Sequence, residues 1–289
     1  MPSLKVIKKR ISSVKSTQQI TKAMKMVSAA KLRKAQQAVL ATRPYAKKMD
    51  AIIANLVAKV PDLSHPLLKE RPRERALVLL ITGDRGLCGG FNTNISKAVE
   101  RFVRDNPENF QQIDVAVIGR KGNDYLKRRP GVNIVKVYEN ITGEVNYQTA
   151  SLLGTEYAAA FTEEKYDVVY LYYNEFKSVI SQVITKLQLL PVVTPKAEEE
   201  LFTGVDYIFE PSAQEVLGQL LAKNVEVQIF RAILESRASE FGARMTSMDS
   251  ATKNASEMIG KLTLMYNRAR QAAITKELME IISGAEAIK

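Results

Sequence analysis

Residues 3–60 read SLKVIKKRISSVKSTQQITKAMKMVSAAKLRKAQQAVLATRPYAKKMDAIIANLVAKV, with no glycine and Pro44 as the one proline. Apolar residues fall at Leu4, Ile7, Ile11 and Val14, and the stripe resumes at Ile20, Met24 and Val27. It weakens through Ala30, Ala35 and Val39, then strengthens at Ile52, Ile53, Leu56, Val57 and Val60. Steps of three and four put these side chains on one face of a long helix, the pattern a coiled coil buries. The step from Val14 to Ile20, across Ser16-Thr17-Gln18-Gln19, predicts a break in the heptad phase. Pro44 predicts a kink or a local end.

Charge is as uneven as hydropathy. Residues 1–49 hold 13 Lys and Arg and no acid, the first being Asp50. The chain carries a formal +11, so residues 50–289 sum to about −2. A helix of one sign is built to meet something acidic. Lys5, Lys8, Lys9, Lys15, Lys22, Lys25 and Lys31 wind around it without interleaved aromatics, the first aromatic being Tyr45. That suits an acidic protein sleeve better than a nucleic-acid groove, although a basic coiled-coil nucleic-acid binder remains the alternative.

The other end mirrors the first. After Pro211 no proline occurs, and Ser212 is placed to cap a helix. Apolar positions run from Leu217 through Ile229, Ile233, Met248, Ile259, Leu262, Ile274 and Ile281. One continuous helix here would be on the order of 115 Å long, longer than a domain of this size is wide. Two such helices bury their stripes most economically against each other, antiparallel. Between them, Ala76–Thr82, Ile113–Gly119, Asn133–Glu139 and Tyr166–Asn174 read as buried strands. Helical stretches lie near 92–104, 121–129 and 149–164, and 179–210 reads as edge strands and loops. The expected fold is α/β: a long antiparallel coiled coil of terminal helices plus a central Rossmann-like three-layer α/β domain. Its expected divisions are 1–60, a linker at 61–75, the α/β domain at 76–210, and 211–289.

Several chemistries lack their residues. The single Cys88 and single His65 leave no internal disulfide, no Cys/His zinc set and no Cys–His or Ser–His–Asp machinery. Gly83-Asp84-Arg85-Gly86-Leu87-Cys88-Gly89-Gly90 stands between a strand and a helix, where a nucleotide loop would be, but fits neither GxGxxG nor GxxxxGK[ST]. Asn92 or Thr93 reads as the following N-cap. Glu198-Glu199-Glu200 reads as a solvated loop. No apolar run approaches the ~20 residues of a membrane span. No cofactor, metal or catalytic residue is expected.

Four long motifs carry a resemblance: STQQITKAMKMVSAAK at 16–31, ITGDRGLCGGFN at 81–92, RMTSMDSATKNASEMI at 244–259 and YNRARQAAITKELMEIISGAEAI at 266–288. With them the chain resembles, end to end, the γ subunits of F-type ATP synthases. The resemblance implies a non-catalytic rotor whose coiled coil stands inside an α3β3 ring, with Leu262–Ile288 in an apolar bearing at the top. It implies a foot that meets the ε subunit and the membrane c-ring. Proton flow would turn c-ring and rotor together, driving the β sites through ATP synthesis, with hydrolysis reversing the motion. It further implies that Met24 and Lys25 face a β lever loop and that Arg85 and Cys88 form a second region near it. Arg270 and Gln271 would meet a β catch loop, and Asp206, Tyr207, Ile208 and Phe209 would lie on the foot near c-ring and ε. The paired cysteines of photosynthetic relatives are missing, so no thiol switch is expected. The acid-free start at Met1 points to a bacterial protein, held by its partners at the cytoplasmic side of the plasma membrane.

Overall fold

The computed structural model describes residues 3–59, 65–106, 108–141, 143, 145–193, 210 and 212–286. The order is α1 (Leu4–Lys59), a 3-10 turn (Pro66–Leu68), β1 (Arg75–Ile81), α2 (Phe91–Asp105), β2 (Gln112–Ile118), α3 (Arg120–Leu126), β3 (Asn133–Tyr138), α4 (Tyr147–Thr162), β4 (Val168–Phe176), β5 (Gln182–Leu190) and α5 (Ala213–Glu286). These residues cluster into two compact units: one of residues up to Ser28 with those from Arg244 onward, the other Ala29–Ala243.

The larger unit holds a five-stranded sheet in the order β3-β2-β1-β4-β5. β1 pairs in parallel with both β2 and β4, and β2 with β3, while β5 returns antiparallel along β4 as an edge. β1 is buried on both faces, which is why it reads as an unbroken apolar run rather than an alternation. Its Ala76, Val78 and Leu80 pack on Ile95 and Val99 of α2 and Leu126 of α3. Its Leu77, Leu79 and Ile81 join Leu153 and Phe161 of α4, Met49, Ile53 and Leu56 of α1, and Leu221, Val225, Ile229 and Ile233 of α5. The third layer is thus completed by stretches of the terminal helices themselves. Leu67 of the 3-10 turn is buried in the same cluster, and its carbonyl accepts from Val192 N at 2.8 Å. Asn146 caps α4 by accepting from Thr149 N at 2.8 Å, and Ser212 Oγ accepts from Glu215 N at 3.2 Å before α5.

α1 does not end at Pro44 but runs through it. Within the unit, α1 and α5 are antiparallel: Lys31 Nζ lies 5.7 Å from the Phe241 ring centroid, Arg43 pairs with Glu235, and Asn224 Nδ2 donates to Asp50 Oδ1 at 2.9 Å.

In the smaller unit the two helices are again antiparallel. Thr21 and Thr252 hydroxyls share a hydrogen bond at 2.8 Å, and Lys25 meets Asp249 at 2.6 Å. The expected phase break at Ser16–Gln19 does not occur. The covered positions of α1 are Leu4, Ile7, Ile11, Val14, Gln18, Thr21, Met24 with Lys25, and Ser28, an alternation of three and four without a break, and the expected Met24 is among them. Polar side chains occupy the seam where apolar ones were sought, and Ile20 (60% exposed) and Val27 (56%) face outward. On α5 the matching row is Met248, Thr252, Ala255, Ile259, Leu262, Tyr266, Ala269 and Ala273.

Candidate functional site

The smaller unit's seam mixes apolar side chains with a polar stretch around Thr21 and Lys25, and further apolar side chains lie on its outside. Thr21 satisfies its hydroxyl with Gln18 O at 3.1 Å and with Thr252, so a polar residue sits in the seam without an orphaned group. Asp249 takes Lys25 on one oxygen and Lys253 on the other at 3.0 Å. Such a layer fixes register more than it stabilises. The two lysines hold the Asp249 carboxyl below the usual aspartate range, chiefly through the Lys25 hydrogen bond. The stabilisation from a depressed carboxylate is full above the unfolded-chain value of about 3.9 and is lost as pH falls through the lower folded value. Acidification through that window is therefore expected to lower amide protection, measured relative to the intrinsic exchange rate at each pH, around Lys25 and Asp249, and Asp249→Asn is expected to flatten the response.

With Ile20, Met26 and Val27 exposed on α1, and Met258, Leu264 and Met265 on α5, the outward face carries apolar side chains among lysines. Beyond Ala273 every residue through Gly284 is exposed, Ile274, Leu278, Met279, Ile281 and Ile282 among them. α1 begins only at Leu4, so among the described residues this last stretch of α5 has no helix beside it. Arg270 and Gln271 sit just before it and are exposed. Met24 is half-covered, and Lys25 is engaged with Asp249.

In the larger unit the glycine loop leaves the carboxyl end of β1, next to β4, where the strand order reverses. Open α/β sheets bind ligands at that switch point. Here the place is taken. A Cβ on Gly83 would lie 2.9 Å from Glu240 Cδ, so α5 lies against the loop. Gly83 N donates to Asn92 Oδ1 at 2.8 Å, and Asn92 Nδ2 donates to Arg85 O and Cys88 Sγ, both at 3.2 Å. Asp84 Oδ1 accepts from Arg120 N at 3.1 Å and Asn140 N at 3.2 Å, setting the chain's own carboxylate at the start of α3. These amides hold the loop instead of a phosphate.

The cap expected at Asn92 or Thr93 is Gly90 instead; Asn92 lies inside the first turn and ties the loop down. Cys88 is 1% exposed beneath the loop, while Arg85 and Leu87 (64% exposed) form its outer surface. Leu87 holds φ +64°, a left-handed conformation that costs an L-residue energy and turns its side chain outward. The residue types alone do not single out Leu87; the one available signal was a bulky residue between Gly86 and Gly89. Asp206, Tyr207, Ile208 and Phe209 lie outside the described residues. Among the described residues no His/Cys/Asp/Glu cluster has metal-site geometry, and no helix is long and apolar enough to cross a membrane.

A family model described as ATP synthase matches residues 3–288. The chain is 58% identical over 289 residues to the ATP synthase gamma chain of Geobacter metallireducens, covering 100% of both. It is 51% identical over 292 residues to that of Anaeromyxobacter dehalogenans, again covering 100% of both. Among solved structures it is similar to the central stalk and c-ring of Tetrahymena thermophila mitochondrial ATP synthase, at TM-score 0.61 and 30% identity over 80% of this chain and 99% of that one. The Euglena gracilis mitochondrial ATP synthase rotor shares the fold at TM-score 0.63 and 19% identity, over 94% of this chain and 98% of that one.

Proposed function

The chain belongs to the ATP synthase family as a γ chain, and on that premise we propose that its paired helices turn inside a sleeve of α and β subunits while the α/β body is turned by the membrane c-ring. It is the rotor subunit of the central stalk, passing c-ring rotation to the β subunits that make ATP, and reversing in hydrolysis. It carries no active site, and its partners are α, β, ε and the c-ring. A nucleic-acid role gains nothing from these relatives. Membrane association comes through the complex; we place it at the cytoplasmic side of a bacterial plasma membrane, in keeping with the bacterial source of the relatives.

One observation carries the mechanical reading: α5 outruns the seam at Ala273 and leaves one apolar face, Ile274, Leu278, Met279, Ile281 and Ile282, exposed. A bare apolar helix face calls for a cover from a partner. Dispersion is weakly directional, so such a cover permits turning. Met24 and Lys25 on α1, and Arg85 with Leu87 on the glycine loop above the buried Cys88, offer basic-apolar surface to acidic lever loops of β. Arg270 and Gln271 offer donors to a catch loop. Asp206–Phe209 are assigned to the foot contact with c-ring and ε. Opposite charges that meet at exposed surfaces can engage and release without a deep pocket.

The test is assembly with α and β subunits, followed by size-exclusion chromatography and ATPase assay. One copy of this chain per three αβ pairs, with altered turnover, supports the reading; elution apart from α and β removes it. Lys25 then separates two roles. Lys25→Glu is expected to lower coupled turnover several-fold while assembly persists, and a polar substitution at Met24 is expected to do likewise. In Lys25→Glu/Asp249→Lys the internal pair is restored with its charges exchanged. Activity that stays low assigns Lys25 to the partner, and activity that recovers assigns it to the seam.

A further inference from the structure

A rotor passes torque between its α/β body and its long helices. Within Ala29–Ala243 the two are joined mainly by apolar packing, such as Leu77, Leu79 and Ile81 of β1 against Val225, Ile229 and Ile233 of α5. Apolar contact opposes separation but has no preferred direction, so it opposes sliding of a helix over a sheet weakly.

Directional contacts of α5 with α4 and its preceding loop exist, Tyr147 donating to Glu226 and Arg237 Nη2 to the Gly143 carbonyl at 2.6 Å, but those with the sheet gather at the end of β4. Glu235 of α5 is 0% exposed. Its Oε1 accepts from Arg43 Nη2 of α1 at 3.1 Å, and its Oε2 accepts from the backbone N–H of Phe176, the last residue of β4, at 3.0 Å. One turn further along α5, Ser239 Oγ donates to the Asn174 carbonyl at 2.9 Å. After that Gly242 admits the Val179 carbonyl, 3.3 Å from where a Cβ would stand.

The arrangement is a poor choice if stability were its purpose. Burying the Glu235 carboxylate, while the Arg43 side chain stays 38% exposed, costs desolvation, and well-packed apolar residues are often at least as stable. Nearby, Asn174 Nδ2 and Arg231 Nε are buried without a hydrogen-bond partner, a further cost. What the pair adds is direction, since one carboxylate ties both long helices to a strand end. We infer that Glu235 is a positioning residue, a torsional latch with Arg43 that makes helices and sheet turn together with little lag. That role rests on the rotor function and adds to it a named point of torque transfer.

The test uses complexes assembled with α and β subunits, the α3β3 part fixed to a surface and a bead on the α/β body. Angular fluctuation during a nucleotide-waiting dwell reports torsional stiffness. Arg43→Ala and Glu235→Ala are expected to raise the angular variance by at least about twofold, with unloaded ATPase unchanged, and Arg43→Lys is expected to recover part of the stiffness. Where Glu235→Ala fails to assemble, Glu235→Asp keeps the charge and shortens its reach. Ile233→Val, which trims the same junction's apolar packing, is the control expected to leave the variance unchanged. Unchanged variance in the latch variants, or an equal rise in the control, overturns the latch while leaving the rotor reading intact. A wild-type chain that does not join α and β overturns the rotor reading itself.

Discussion

Gly119→Ala is expected to cost more than about 4 kcal/mol, enough to leave little folded protein given the usual total of about 5–15 kcal/mol. Gly119 joins β2 to α3 at φ +97°, and a Cβ there would lie 2.1 Å from the carbonyl oxygen of Thr82. Neither partner can give way. The Thr82 hydroxyl donates to the Ile118 and Gly119 carbonyls at 3.1 and 3.2 Å and accepts from Gly122 N at 2.9 Å, and Thr82 N donates to Ile118 O at 2.8 Å. The clash therefore falls on the knot that also holds the glycine loop. Gly260→Ala is the natural contrast, since nothing lies within 4 Å of its Cβ position on α5, and it is expected to add roughly 1 kcal/mol by helix propensity. Denaturant unfolding of the two variants checks both. A Gly119→Ala midpoint within about 1 kcal/mol of wild type would mean that the β2–α3 connection relaxes, contrary to the geometry.

Removal of residues 274–289 is expected to lower ATPase turnover of the assembled complex about three- to tenfold, while assembly persists. The seam partners on α5 end at Ala273, so the cut removes no internal contact of the paired helices among the described residues. What it removes is the exposed set Ile274, Leu278, Met279, Ile281 and Ile282. Covered by partners, these side chains would contribute about 1.5 kcal/mol each at the low end of full burial. The isolated shortened chain is also expected to aggregate less, because an unpartnered apolar surface is gone. Size-exclusion chromatography with ATPase assay of the peak reads both effects. Full turnover in the truncated complex would show that the exposed tip bears no load.

Much of the fold was legible in the residues. β1 and β2 announce themselves as apolar runs because both faces are buried, and α1 and α5 because long stretches free of proline carry an apolar stripe, Pro44 being the one breaker and α1 running through it. The antiparallel edge β5 was harder. Its burial alternates only loosely, and its pairing depends on β4 rather than on its own pattern. Of the loop's outer surface, Leu87 was not singled out because its exposure goes with a left-handed backbone angle, and Asn92 was misplaced because a good capping residue here ties down a loop from within the helix. Glu235 is, in sequence, one helix charge among many, and only its burial sets it apart.

The sequence by itself determined the helix lengths, the principal strands, the absence of catalytic residue sets and the family, because local periodicity and long motifs are properties of neighbours along the chain. The tertiary structure alone decided which residues fill the seam. Thr21 and Lys25 are covered while Ile20 and Val27 are not, because Thr252 and Asp249, more than two hundred residues away, supply the partners that make covering polar groups tolerable. It also decided that the switch-point crevice is closed by α5, with Glu240 against Gly83 and Glu235 bonded to the end of β4. Burial of a charge or closure of a crevice depends on what arrives from across the fold, and no local pattern encodes it.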